Sequence, residues 1–250
     1  MSRQAGSKRR DTNAPIRGSR AAASHQNWCR VLEWVLRVKR TMHRPRVKHR
    51  IRRTPLVATA IGGATGFAAI STLVARRKTR RFDAAVRQRI GTKHSDAGKM
   101  LVAALGYSGK SWVHGPAAAL LATYVHHRGS LEGSRAINLA SALSTSASKT
   151  FDWALKHRAP PPGRHARREQ SFPSGHTLET TALALTAAHV LWREGIADRR
   201  MAFPVAAVIP LLEGAGRLYL DRHWSTDVIA GLLGGAAIAA VCVLGYEERA

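Results

Sequence analysis

Two long uncharged runs constrain this chain more than any other feature. Pro55 to Ala75 (PLVATAIGGATGFAAISTLVA) is 21 residues without a charge, and Val228 to Tyr246 (VIAGLLGGAAIAAVCVLGY) is 19. At about 1.5 Å per helical residue, each is long enough to cross a hydrocarbon layer of about 30 Å. Both are rich in Gly and Ala, which suits close helix packing in lipid. Four weaker apolar segments lie between them: Met100–His127, Ala136 to about Leu155, Thr177–Trp192 and Met201–Leu220. Each holds only a few ionisable residues, such as Lys110, Glu179, Glu213 and Arg217. The plainer reading of the weak segments is core helices of a soluble bundle. The two clean spans argue against it, and an intramembrane ionisable residue is a functional candidate by default. The expected fold is all-α: a six-transmembrane-helix bundle over residues 55–246, with a short tail at 247–250 and a basic N-terminal arm at 1–54.

Charge is unevenly placed. The chain has 40 Lys plus Arg against 15 Asp plus Glu, a formal net charge of +25. Residues 1–54 carry 16 of those cations and only two acids, Asp11 and Glu33. Trp28, Val31, Leu32, Val35, Val38 and Met42 recur at helical spacing among Arg30, Arg37, Lys39 and Arg40. That pattern predicts an interfacial amphipathic helix over Asn27–Met42, resting on an anionic membrane surface. A solvated arm with one marginal helix is the plainer alternative. Nucleic acid is not the expected partner, because no finger, recognition helix or aromatic platform accompanies the charge. The two cysteines, Cys29 and Cys242, exclude a disulfide framework and a cysteine-rich zinc module.

The connecting loops hold the chemically pointed residues. Arg76–Lys99 is basic and contains a possible interfacial helix, FDAAVRQRI. Lys156–Ser171 is basic and broken by Pro160, Pro161 and Pro162. Counting six spans, the loop between the third and fourth and the turn between the fifth and sixth fall on the side opposite the arm. In the first of these, Pro173-Ser174-Gly175-His176-Thr177 precedes an apolar helix. Such a turn can aim backbone amides at an anion, and His176 can protonate a leaving oxygen. A loop histidine beside an ordinary helix start is the bland alternative. The second holds Arg217, then His223, then Asp227, with five and three residues between them. With a helix starting near Ser225, Asp227 can bend back to the imidazole and fix its tautomer. Arg217 offers a planar fork for phosphate oxygens. A juxtamembrane charge cluster would use the same residue types. Lys149 and Arg158 add two cations from the preceding segment; a basic membrane-flanking loop is the alternative there.

Together these residues resemble the type 2 phosphatidic acid phosphatase superfamily, which also includes the vanadium haloperoxidases. That family carries a Lys followed by an Arg-Pro pair, then Pro-Ser-Gly-His, then an Arg, a His six residues later and an Asp four after that. Pro173–His176 and Arg217, His223 and Asp227 match the second and third motifs in order. The first departs: with six residues between them, the Arg position counted from Lys149 is Lys156, and Arg158-Ala159-Pro160 comes two residues late. Gly216 stands where the family often has Ser. The resemblance implies a membrane phosphatase acting on a lipid phosphate. His223 would be the nucleophile forming a phosphohistidine, Asp227 would orient it, and His176 would protonate the leaving group. Lys149, Arg158 (or Lys156), Ser174, Gly175 and Arg217 would hold the phosphoryl oxygens. No carboxylate cluster for Mg²⁺ accompanies the motifs, so neither a metal nor another cofactor is expected. Phosphatidic acid, phosphatidylglycerol phosphate and polyprenyl phosphates remain open as substrates. A non-catalytic lipid-binding scaffold and a vanadate-dependent haloperoxidase are the competing readings. The cation count favours cytoplasmic termini in the plasma (inner) membrane, with the site at the outer face.

Overall fold

The computed structural model of the chain describes residues 52–91, 95–106, 111–155, 158–162 and 170–250. The expected helix at Asn27–Met42 and nearly all of the basic arm lie outside the described residues, as do Lys110 and Lys156. Among the described residues there are eight helices and no strand: α1 (Arg53–Ala75), α2 (Arg80–Ile90), α3 (Asp96–Leu105), α4 (Ser111–His127), α5 (Leu131–Ala154), α6 (Gly175–Arg193), α7 (Arg199–Tyr219) and α8 (Ser225–Arg249).

Three helices, α1, α7 and α8, are long and apolar enough to cross a membrane. The segment read as one span, Met100–His127, divides into α3 and α4, with Gly106 as the C-cap of α3. α5 and α6 are long enough to span but carry polar residues that turn inward: Ser144, Ser148, Thr177, Thr181 and Thr186 are buried. Large apolar side chains face outward instead, among them Ile61, Leu120, Met201, Leu211 and Leu212. An inward polar and outward apolar distribution suits helices whose outer solvent is lipid.

α8 is the central element, packed against α1, α6 and α5. Its small residues make that possible. A Cβ on Gly235 would lie 2.6 Å from both the Leu178 carbonyl oxygen and Thr181 Cβ of α6. On the other side, a Cβ on Gly63 of α1 would lie 2.7 Å from the Leu233 carbonyl oxygen. The backbones meet directly at both contacts, the close approach that glycine permits in membrane helices. A satellite core of Ala118, Ala122, Val125, Ile137, Val190 and Tyr246 binds α4 and α5 to the far ends of α6 and α8.

The end of α1 is unusual. Arg77 N–H donates to Val74 O (2.9 Å) and Lys78 N–H to Leu73 O (2.9 Å), the paired bonds of a Schellman cap. The cap position needs a left-handed residue, normally glycine, yet Arg77 occupies it with φ 56°. For a residue with a Cβ this costs about 1–2 kcal/mol.

Gly235→Ala must push α6 and α8 apart, and overpacking of this kind costs about 1–3 kcal/mol. Gly62→Ala is the matched control, because nothing lies within 4 Å of its Cβ position. Thermal unfolding in detergent should show a lower Tm for Gly235→Ala and an unchanged or higher Tm for Gly62→Ala. Equal shifts would contradict this packing.

Candidate functional site

The Pro-Ser-Gly-His turn docks on the start of α8. Ser174 N–H donates to Asp227 O (3.1 Å), and Ser174, the N-cap of α6, is fully buried with its hydroxyl 3.0 Å from Thr177 Oγ1. A Cβ on Gly231 would lie 2.9 Å from Ser174 O, so α8 runs directly beneath the turn. Gly175 and His176 follow in the first turn of α6, and both are half-buried. Gly175 abuts the Ser148 hydroxyl of α5, which a Cβ there would approach to 2.6 Å. The structure thus brings the second motif together with Asp227 of the third across the α6 and α8 N-termini.

His223 sits in the turn between α7 and α8. Its Nδ1 lies 2.7 Å from the Ser171 carbonyl oxygen. A carbonyl only accepts, so Nδ1 carries the proton and Nε2 keeps its lone pair. Asp227 was expected to hold this nitrogen; its Oδ2 is 3.9 Å away, beyond hydrogen-bond reach. The same oxygen instead accepts the Trp224 N–H at 2.8 Å, closing the first turn of α8 from inside. Ser171 thereby takes the orienting role. It is itself fixed to Arg158, through Ser171 N–H to Arg158 O at 3.0 Å. Burial pushes the His223 imidazole down to about 4; the Ser171 bond works the other way, and Arg217 and Arg222 add to the depression. The ring is neutral at pH 7.

Arg158 was expected to hold phosphate. Its side chain is only 9% exposed and its fork is committed to protein. Nε donates to Asp227 Oδ1 (3.1 Å), Nη1 to Thr79 Oγ1 (3.1 Å), and Nη2 to both Asp83 Oδ2 and Thr226 Oγ1 (2.8 Å each). Asp83 in turn caps α8: Oδ1 accepts the Ser225 hydroxyl (2.8 Å) and the Thr226 N–H (3.0 Å). Burial works against the charge on Asp83, but the bonds from Arg158, the Thr226 N–H and Ser225 outweigh it and hold the carboxyl below its usual value. Nearby, Arg87 pairs with Asp221 through Nε (2.8 Å) and Nη2 (3.2 Å) and also reaches Pro162 O (3.0 Å). α2 is therefore pinned both to the His223 turn and to the proline loop.

Arg217 is buried at the end of α7. Nη2 donates to Gly106 O (3.2 Å) and lies 3.6 Å from Glu213 Oε2. A Cβ on Gly106 would fall on the Arg217 guanidinium. Gly216, where the family often has Ser, faces Val102 of α3: a Cβ there would sit 3.0 Å from Val102 Cγ1. Close packing of α3 on α7 accounts for that departure. Lys149 is exposed on α5, next in sequence to the buried Ser148 that meets Gly175. Among the described residues it has no contact with the other motif residues.

Several of these residues escaped the sequence reading: Asp83, Ser171, Asp221 and Gly106. Of these only Asp83 carried a signal, as an acid one turn before Arg87 on the amphipathic FDAAVRQRI helix.

Residues 138–250 match the family model of the PAP2 superfamily, a stretch that contains Pro173–His176, Arg217, His223 and Asp227. The chain is similar to phosphatidylglycerophosphatase B of Bacillus subtilis (strain 168), with 32% identity over 82 residues; this covers 32% of the chain and 40% of that relative's length. Its fold is similar to the crystal structure of a transmembrane PAP2-type phosphatidylglycerolphosphate phosphatase from Bacillus subtilis, with a TM-score of 0.65 and 19% identity. That match covers 77% of this chain and 97% of the other. With its apolar helices, the chain is a multi-pass membrane protein.

Asp83→Ala leaves Arg158 with Asp227 as its one remaining carboxylate and removes the acid that caps α8, and breaking a buried pair costs up to about 3–5 kcal/mol. Asp96→Ala is the control, because Asp96 is 98% exposed; its loss should stay within about 0.5 kcal/mol. Because the folded-state value of Asp83 is depressed, its contribution is full above about pH 4 and is lost only in stronger acid. Unfolding in detergent at pH 7 and pH 3 reads both effects. A Tm difference at pH 7 no larger for Asp83→Ala than for Asp96→Ala would remove Asp83 from this role.

Proposed function

We propose that the protein is an integral membrane phosphatase that hydrolyses a lipid phosphate through a phosphohistidine at His223. The observation that carries this reading is the His223 geometry. Its Nδ1–H is held by Ser171, its Nε2 lone pair is left for attack, and burial keeps the ring neutral beside the Pro-Ser-Gly-His turn.

In the proposed reaction Nε2 of His223 attacks phosphorus, and the bond from phosphorus to the lipid oxygen breaks. His176 gives its proton to the leaving alkoxide. A water then attacks the phosphohistidine, yields a proton to His176, and releases inorganic phosphate and the neutral imidazole. The phosphoryl group spreads its charge over equatorial oxygens, so fixed cations and amides do most of the stabilising. Arg217, Ser174, the Gly175 amide and Lys149 supply these. With the Arg158 fork committed to Asp83 and Asp227, Lys156 becomes the preferred cation of the first motif. Arg158 becomes a positioning residue that holds Asp227 and, through its carbonyl, Ser171.

Six spans are proposed, with α4, α5 and α6 as the inner three. The basic arm at 1–54 rests on anionic headgroups. The termini are cytoplasmic and the site faces outward in the plasma membrane. Among the candidate substrates, the names of the relatives favour phosphatidylglycerol phosphate over phosphatidic acid and polyprenyl phosphates.

Phosphate release by detergent-purified protein should fall about 10⁴-fold or more in His223→Ala and about 10²–10⁴-fold in His176→Ala. The wild type should trap an acid-labile, alkali-stable phosphoryl adduct that His223→Ala does not form. Equal release by wild type and His223→Ala would sink the enzyme reading and leave a lipid-binding scaffold. The acid limb of kcat/KM reports the free enzyme, so it should fall near pH 4 and not near 6.5. A periplasm-type reporter fused after Ala250 should be silent.

A further inference from the structure

Next to Trp224, the residue after His223, lies a cavity of about 350 Å³ that the proposed reaction does not use. Its lining includes Val74, Arg77, Arg80, Asp83, Arg158 and Trp224. Three arginines therefore face one carboxylate, and Asp83 is already committed to Arg158 and the start of α8. Among the described residues no carboxylate pairs with Arg77 or Arg80, and both side chains are exposed. The cavity carries uncompensated positive charge in a concave wall.

Its place in the fold says what the charge is for. It lies where α1 ends and α8 begins, two helices that can span a membrane, and so at the level of lipid headgroups. One wall is Trp224, the residue after His223. Its indole N–H donates to Ala159 O (2.8 Å), and Arg158 Cζ sits 5.8 Å from its ring. This fixes the ring as an apolar side to an otherwise cationic slot. Arg77 enters the slot from the left-handed cap of α1, where glycine would be unstrained. A strained position held by a cationic side chain at a cavity points to a role for that side chain. Arginine forks match phosphate oxygens.

We propose that this cavity is a second phosphate site, next to but separate from the His223 site, and that it takes the phosphodiester of a lipid headgroup. The phosphodiester can belong to the substrate itself, when that lipid carries two phosphates, or to a neighbouring anionic lipid. The substrate arm of the test rests on the phosphatase reading above; the binding arm does not.

The test pairs wild type with Arg77→Gly/Arg80→Gln in a neutral detergent. Arg77→Gly relieves the cap, so it should leave Tm unchanged or raise it, which separates loss of the site from loss of fold. Kinetics use short-chain phosphatidylglycerol phosphate, with two phosphates, and short-chain phosphatidic acid, with one. If the substrate supplies the phosphodiester, the variant lowers the kcat/KM ratio of the first to the second about tenfold or more, the scale of one lost charge-assisted bond. If a neighbouring lipid supplies it, added phosphatidylglycerol raises phosphatidic acid hydrolysis in wild type and not in the variant. Binding is read without catalysis as the Tm rise given by short-chain phosphatidylglycerol over phosphatidylcholine. Wild type should show a rise that the variant lacks. An equal rise in both proteins overturns the proposal, whatever the kinetics. Wild type inactive on both substrates, with the Tm difference present, overturns the phosphatase reading alone.

Discussion

The site hangs on a buried cluster of three charges: Asp83, Arg158 and Asp227. One guanidinium stands between two carboxylates, bonded to Asp83 at 2.8 Å and to Asp227 at 3.1 Å. Such a cluster is a poor source of net stability, because desolvating the ions offsets most of their attraction. Its value is geometric. A planar fork can satisfy both carboxylates only in one arrangement, and Thr79, Thr226 and Ser225 fill the remaining positions. The cluster therefore locks α2, the loop at 158–162 and the first turn of α8 into one frame. An acid contributed by α2 sits at the N-terminus of α8, where the helix dipole and unpaired amides favour negative charge.

The frame decides how His223 is held. The Arg158 side chain anchors Asp227, while its carbonyl accepts from Ser171, and the Ser171 carbonyl then accepts from His223. A chain of hydrogen bonds thus runs from a buried ion cluster to the imidazole. The glycines of α8 matter at the same level. Gly231 brings the α8 backbone beneath Ser174, and the Ser174 N–H closes on Asp227 O. Arg217 belongs to a different part of the frame, with its guanidinium against Gly106 of α3. The site thus joins a rigid base, made by α2, α6 and α8, to a cation carried by α7 against α3.

Features with a local signature were legible in the sequence. The uncharged runs Pro55–Ala75 and Val228–Tyr246 became α1 and α8 nearly residue for residue. The Pro-Ser-Gly-His turn and the Arg217, His223 and Asp227 series read as partners because each begins or ends an apolar helix, and the fold sets Ser174 on Asp227. Asp227 shows the limit of spacing. A carboxylate one turn after a histidine can reach the ring, but the unpaired Trp224 amide at the helix start competes for the same oxygen and takes it. Asp83 shows the other limit. Its partners lie 75 and 143 residues away, so no local pattern announces them. Met100–His127 read as one apolar span because hydropathy does not mark the close approach of Gly106 to Arg217, which needs the α3 end there.

Basic residues in this chain do two physically different jobs, and burial separates them. Arg158 is neutralised by two carboxylates, so it shapes the protein and contributes little attraction for an anion at a distance. Arg77 and Arg80 lie exposed at the end of α1 and the start of α2, and among the described residues no carboxylate pairs with them. A cation in that position keeps its field for whatever lies in the headgroup layer. The excess of positive charge near α1 and α2 is thus an attraction left over after the ion cluster is satisfied. It is displayed at the end of a helix long and apolar enough to cross a membrane, in a cavity shared with Trp224, the residue after His223.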